Sequence, residues 1–222
     1  MTLTVHHLSL SQSERIVFLC EELSIPYTLK IYPRSPVFAP PEYKALHPAG
    51  TAPIITDGDI TLAESGAVTE YILHKYGDGK LQIPSTAGNK EYADYLYWLH
   101  FANGTLQPAV MRSFSFKQAK IADDNPMYQS VLGRRAAALK QMDDQLKENE
   151  WLAGSKFTAA DVMSVVSMTT MRLFVPFGLE EYPNVVRWLD RVGRREGYRR
   201  AMEKGEPGLK PVLGVEAPKG VL

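Results

Sequence analysis

Along the first eighty residues the spacing of apolar positions changes period several times. Residues 2–7 alternate with β-branched and apolar side chains, which predicts a strand. After a Ser-rich stretch, Ile16, Val17, Leu19, Cys20 and Leu23 fall on one face of a helix. Ser11 or Ser13 is its natural cap, Glu14 and Arg15 sit in its first turn, and Pro26 marks the exit. Residues 27–32 read as a second strand, parallel to the first in a right-handed βαβ unit. Four prolines in 33–41 predict an irregular loop, and a short helix over 42–46 ends at His47-Pro48. Extended structure resumes over 52–56, and Asp57-Gly58-Asp59 turns the chain into a fourth strand at 60–62. A helical period over 64–76, through Ala67, Val68, Tyr71 and Ile72, closes at Gly77.

Beyond this point the period stays helical. Residues 90–116 and 128–148 form long helical patterns, and Arg134, Arg135, Lys140, Asp143 and Asp144 make a solvated face on the second. Residues 158–174 are more apolar and therefore central; 184–195 and 198–204 complete a bundle before a Gly- and Pro-rich tail. The expected fold class is α/β plus all-α: a βαβ-ββα domain over 1–79, a linker at 80–88 and an all-helical domain over 89–222.

Composition narrows the function. The 222 residues carry 25 Lys+Arg against 25 Asp+Glu, so no basic field exists to gather nucleic-acid phosphates. Apolar runs such as 162–168 fall well short of the roughly 20 residues a membrane span needs. The opening Met-Thr-Leu-Thr-Val-His-His has no basic region ahead of an apolar one, so no cleaved signal peptide is read there. A lone cysteine, Cys20, excludes an intrachain disulfide and a CxxC pair, and a cytoplasmic location is the expectation.

Thr51-Ala52-Pro53 precedes a strand, where proline is normally kept at an edge. A cis bond there would turn the chain and leave the Ala52 backbone to pair with an extended peptide; a trans edge proline is the alternative. With Ser11-Gln-Ser-Glu-Arg15, His47-Pro-Ala-Gly-Thr-Ala-Pro53, Leu62-Ala-Glu-Ser-Gly66 and Leu152-Ala-Gly-Ser-Lys-Phe-Thr-Ala-Ala-Asp161 in this order, the chain resembles the glutathione transferase superfamily over nearly its whole length. Residues 98–108 and 38–42 look most like a fungal branch. The resemblance implies a thioredoxin-like first domain with a cis-proline, glutathione as co-substrate, a homodimer and a small-molecule electrophile as the other partner.

A cysteine thiol has an unperturbed pKa of about 8.5, so such an enzyme must stabilise the thiolate. Ser11, at a loop-to-helix junction, matches the activating serine of the serine-type classes; otherwise it is an ordinary N-cap, with Ser13 or a backbone amide as the sulfur's donor. The resemblance also assigns Ala52 and Pro53 to the cysteinyl unit, Glu64 and Ser65 to the γ-glutamyl end, and Lys44 and His47 to the glycine carboxylate. Ser65 and Glu64 equally suit a plain acidic helix start. Residues 158–161 fit a capping box with a folding role, and Cys20 sits on an apolar face where a thiol is inert. His6 and His7 end the first strand with no metal spacing around them, and no metal is expected. A second-substrate pocket is expected from His7, Met111, Arg112, Phe116, Met168 and Arg172, with Asn103, Pro108 and Met171 nearby. The leading expectation is a transferase working by thiolate stabilisation and proximity; peroxidase, isomerase and non-catalytic binding roles share the same site.

Overall fold

A computed structural model describes residues 3–35 and 37–221. Thr2 of the expected first strand and Pro36 of the proline loop lie outside the described residues.

The chain forms two compact units. One takes Met1–Gln82 together with Arg194–Lys210, the other Ile83–Gly193 with Pro211–Leu222. A single cut near residue 80 was expected, and the difference has a physical cause. The helix over Glu196–Gly205 packs on the first helix of the chain, with Phe18 and Tyr198 edge to face at 5.2 Å. Bundle-like periodicity near the C-terminus does not disclose which layer the helix will cover.

In the first unit, β1 (Thr4–Leu8), α1 (Glu14–Leu23) and β2 (Thr28–Tyr32) form the expected βαβ unit, with β1 and β2 parallel. A short α2 (Pro41–Lys44) precedes β3 (Ile54–Asp57), β4 (Ile60–Ala63) and α3 (Ser65–Tyr76). The sheet order is β2-β1-β3-β4, with β3 antiparallel to both neighbours. The two-residue hairpin turn has Gly58 at φ +66°, where a side chain would be strained. Asp57, beside it, accepts from Tyr71 Oη, Lys75 Nζ and Tyr76 Oη of α3. Burial pushes this carboxyl up, but those three donors outweigh it and hold the pKa at about 2.

The second unit contains α4 (Asn89–Phe101), a π-helical turn (Ala102–Leu106), α5 (Gln107–Gln118), α6 (Pro126–Glu148), α7 (Ala159–Met168), a 3₁₀ turn (Thr170–Leu173) and α8 (Pro183–Arg194). The expected continuous helix over 90–116 is therefore interrupted. Pro108 has no N–H and its ring crowds the carbonyl of residue 104, so the wider π turn relieves the conflict. Asn125 caps α6 by accepting from the amides of Met127 and Tyr128. The capping box at Thr158 and Asp161 forms as expected. Asp161 also accepts from Leu152 N and Trp188 Nε1, so one fully buried carboxylate joins three segments. Burial raises its pKa to about 6, and these donors oppose the rise.

The remaining helix, α9 (Glu196–Gly205), is held to α1 of its own unit by a polar cluster. Glu21 accepts from Tyr27 Oη at 2.6 Å, Arg200 Nε at 2.9 Å and Lys204 Nζ at 2.6 Å. Burial alone would raise the Glu21 pKa; the hydrogen bonds from Lys204, Tyr27 and Arg200 bring it below its ordinary value. Glu22 and Arg195 form a second, bidentate pair. Arg200 and Lys204 are 41% and 51% exposed, so solvent screens much of the attraction. Glu21→Gln is expected to cost about 1–2 kcal/mol at neutral pH. Because the folded pKa is depressed, that difference is complete above the ordinary carboxylate value and shrinks as pH falls through the lowered one. Urea midpoints of the two proteins, compared between neutral and acid pH, test this; a gap that widens in acid refutes it.

Candidate functional site

Register places three segment ends at one end of the sheet, where strands start or stop. β1 runs out at Leu8, β3 begins after Pro53, and β4 ends at Ala63, with His6 opposite Ile54 and Ile54 opposite Ala63. Leu8, Tyr43, Ala52, Ile54 and Ala63 form one buried apolar cluster, with Tyr32, Ala39 and Leu46 packed against it. Removing these side chains from water therefore brings the Ser11 loop, the Ala52-Pro53 bend, α2 and the start of α3 together. Tyr43 adds a hydrogen bond from its hydroxyl to His6 O at 3.3 Å.

The Ala52-Pro53 peptide bond is cis, the first of the two geometries open from sequence. Glu64, immediately before α3, has φ +73° and ψ 114°, a conformation that costs a non-glycine residue about 1–3 kcal/mol and that clusters at ligand-holding positions. Its side chain is exposed. Ser65 is buried, and its Oγ accepts from Arg15 Nη1 at 3.2 Å. Arg15 is 0% exposed, and burial lowers its pKa to about 9, the neighbouring Glu14 opposing that shift. From sequence, Arg15 stood in the first helical turn and closed the 11–15 stretch of the family resemblance, with no role of its own assigned to it. Its position beside the apolar face of α1 is the one signal that it would be buried.

Ser11 and Ser13 are both buried ahead of α1. Ser11 Oγ lies 2.8 Å from Ser13 Oγ and accepts from Ser13 N at 3.2 Å. Ser13 stands at the N-cap position but makes no side-chain cap bond. Its hydroxyl turns back to β1, accepting from Leu8 N and contacting His7 Nδ1 at 2.9 Å, so the pure cap expected of it is not what forms. Lys44 is exposed at the end of α2, and His47 Nδ1 accepts from Ala49 N. Cys20 is 0% exposed, and burial raises its thiol pKa far above its ordinary value.

Several residues expected to line a pocket are committed elsewhere. His7, expected to face substrate, is 0% exposed and bonded to Ser13 and Glu206. Glu206, at the end of α9, is a contact that sequence could not disclose. His6 binds Tyr32 Oη and Thr56 Oγ1. In the second unit, Met168 is 0% exposed within the wholly buried α7, and Met171 is also buried. Arg172 is 0% exposed and donates to the carbonyls of Phe177, Gly214, Val215 and Glu216, so it anchors the C-terminal tail instead of a substrate. Phe116 stacks on Tyr128 at 5.7 Å, joining α5 to α6. Met111 is half-buried and Arg112 exposed on α5, while Asn103 and Pro108 belong to the π turn and the start of α5. An open hollow of about 410 Å³ in this unit, lined by Leu96, Tyr97, His100, Phe101 and Thr105, was not anticipated. Among the described residues no three His, Cys, Asp or Glu side chains converge as a metal site.

Residues 11–75 match the family model for the glutathione S-transferase N-terminal domain, and residues 99–196 match that for the C-terminal domain. The chain is 34% identical over 217 residues to glutathione S-transferase 3 of Schizosaccharomyces pombe, covering 92% of this chain and 88% of that protein. It is 29% identical to glutathione S-transferase 1 of Saccharomyces cerevisiae, covering 90% and 94%. Among solved structures it is similar to a glutathione S-transferase from Actinobacillus pleuropneumoniae, with a TM-score of 0.84 at 30% identity and 94% of each chain covered. A glutathione transferase from Phanerochaete chrysosporium, in complex with oxidized glutathione, superposes with a TM-score of 0.76 at 21% identity over 92% of this chain and 96% of that one, a likeness of fold.

The Arg15 to Ser65 contact makes an unequal pair of predictions. Arg15→Ala removes a large buried side chain and its bonds and is expected to cost about 3 kcal/mol, whereas Ser65→Ala, which removes one acceptor, costs about 1 kcal/mol. Chemical denaturation midpoints measure both; equal losses would contradict the packing role given to Arg15.

Proposed function

Since the chain belongs to the glutathione S-transferase family, we propose that it binds glutathione along the Ala52-Pro53 bend and activates its thiol through Ser11. The thiolate then adds to a small electrophile. The observation that carries the reading is the gathering of the Ser11 loop, the cis Ala52-Pro53 bond and the Ser65 helix start at one end of the sheet, packed around a single apolar cluster.

Each part of the tripeptide has a matching group. The Ala52 backbone pairs with the cysteinyl unit beside Pro53, as an extended ligand does at a strand edge. The γ-glutamyl carboxylate meets the amide and hydroxyl at the start of α3, a 12-residue helix whose N-terminus favours an anion. Exposed Glu64 pairs with the ligand's ammonium, and Lys44 and His47 on the α2 side serve the glycine carboxylate. Ser13 holds Ser11 from behind. The Ser11 hydroxyl, 4% exposed, donates to the sulfur where water competes little, and such a donor lowers the barrier more than it would in bulk water.

No contact with the electrophile is assigned to Arg172, Met168, Phe116 or His7, which are committed within their own units. Among the described residues no helix is long and apolar enough to cross a membrane; a cytosolic homodimer is part of the proposal, on the family resemblance alone.

Titration calorimetry with glutathione is expected to show saturable binding, and an assay with a generic electrophile to show conjugation. Ser11→Ala is expected to lower kcat/KM for conjugation roughly 100-fold with little change in glutathione affinity. Conjugation left untouched by that substitution removes Ser11 from its role.

A further inference from the structure

Behind Ser11 runs a chain of buried polar groups that thiolate stabilisation by one hydroxyl does not require. Ser11 Oγ is 2.8 Å from Ser13 Oγ, Ser13 Oγ is 2.9 Å from His7 Nδ1, and His7 Nε2 is 3.0 Å from Glu206 Oε1. None of the four side chains is more than 7% exposed, and all lie in one unit. Glu206 also accepts from Leu10 N. A Cβ on Gly205 would come within 3.3 Å of His7 Nε2, so glycine lets the backbone bring Glu206 close to the imidazole.

Hydrogen-bond capacity allows this chain two complete arrangements. A hydroxyl has one proton to give and two lone pairs. Ser13 always accepts from Leu8 N, and Ser11 always accepts from Ser13 N. With neutral His7 donating from Nε2 to Glu206, bare Nδ1 takes the Ser13 proton, Ser13 accepts from Ser11, and Ser11 shows a lone pair to the site. With His7 protonated, Nδ1 donates to Ser13, whose lone pairs are now full, and Ser13 donates to Ser11. Both Ser11 lone pairs are then occupied, and its only remaining function is to donate outward. The other contact of the Ser13 hydroxyl, Leu8 O at 3.3 Å, is the longest it makes.

We propose that the His7 and Glu206 pair takes up the thiol proton of bound glutathione through the two serine hydroxyls. The S–H proton moves to Ser11 Oγ, the Ser11 proton to Ser13 Oγ, and the Ser13 proton to His7 Nδ1. One S–H bond is lost, one N–H bond is gained, each hydroxyl loses and gains one proton, and the sulfur keeps its electron pair. The starting arrangement is the one that accepts an S–H; the final one directs a hydroxyl proton at the thiolate and leaves imidazolium facing carboxylate. His7 and Glu206 act through the serines and are positioning residues. The inference rests on the Ser11 reading above.

The charges around His7 are few. Glu206 faces His7 Nε2 at 3.0 Å. The Arg34 guanidinium is bound to Ser9 O and Leu10 O and lies within electrostatic reach of Glu206. Glu14 and Arg15 are buried in the first turn of α1, with Arg15 engaged by Ser65, and β2 sets uncharged Ile31 opposite His7.

The test follows the proton. Glutathione is bound to the full-length protein in weak buffer with a pH indicator while the thiolate absorbance is recorded. Near neutral pH the wild type is expected to form thiolate while releasing well under one proton for each thiolate. In His7→Gln and in Glu206→Gln the thiolate is expected to form only at a pH higher by about one unit, with about one proton released for each. Conjugation kcat/KM at neutral pH falls about tenfold, and the KM for electrophile stays near the wild-type value. Glu206→Gln keeps the contact with Leu10 and carries the test alone if His7→Gln does not fold. Thiolate with full proton release in the wild type, or an unshifted thiol titration in Glu206→Gln, overturns the relay and leaves Ser11 in place. No thiolate in the wild type overturns the Ser11 reading and the relay together.

Discussion

Burial of five side chains at one end of a four-stranded sheet underlies the whole site. Leu8, Tyr43, Ala52, Ile54 and Ala63 come from four separate stretches of chain, and each is almost fully withdrawn from water. Fully burying a large apolar side chain contributes on the order of 1.5–3 kcal/mol, so the cluster is worth enough to hold neighbouring segments in conformations they would not adopt alone. Glu64, with its positive φ, is one such conformation. The same cluster fixes where the Ser11 loop leaves β1 and where α3 begins, and so the spacing of the groups proposed to meet glutathione.

Polar groups complete what the apolar cluster begins. Arg15 and Ser65 link the starts of α1 and α3 in a region without bulk water, where an unpaired polar group would cost about 1–3 kcal/mol. On the other side of α1, Glu21 and Glu22 collect Tyr27, Arg195, Arg200 and Lys204, which makes α9 part of the sheet-bearing unit. That docking delivers Glu206 to His7. The hydroxyls proposed to handle the thiol proton are thus supported by a residue from the far end of the chain, and the two hydrogen-bond arrangements open to them coincide with the thiol and thiolate states of the ligand.

Much of this was legible in the sequence. Changes of apolar period located every strand and most helices, because a half-buried sheet and an amphipathic helix impose different repeats on any chain. Ser11, Ala52, Pro53, Glu64 and Ser65 were singled out through the resemblance to the family; their local sequence alone pointed to no more than a helix start, a proline before a strand and an acidic turn. Residues named for a second-substrate pocket fared differently. Met168 and Arg172 are buried within their own unit, since methionines at helical spacing fill cores and an arginine among apolar residues can be occupied by backbone carbonyls.

By itself the sequence determined the order of elements and the cap at Thr158, both set by interactions between residues close in the chain. Its motifs carried the resemblance to the family, whereas the turn of the chain at Pro53 was left open between two geometries. Only the tertiary structure decided that α9 joins the first unit, that Arg15 is buried against Ser65, and that His7 faces Glu206. Those contacts join residues 50 to 199 positions apart. Their physical basis is the desolvation of charged and polar groups by surfaces that meet only in the folded chain, and local spacing carries no record of which surfaces those will be.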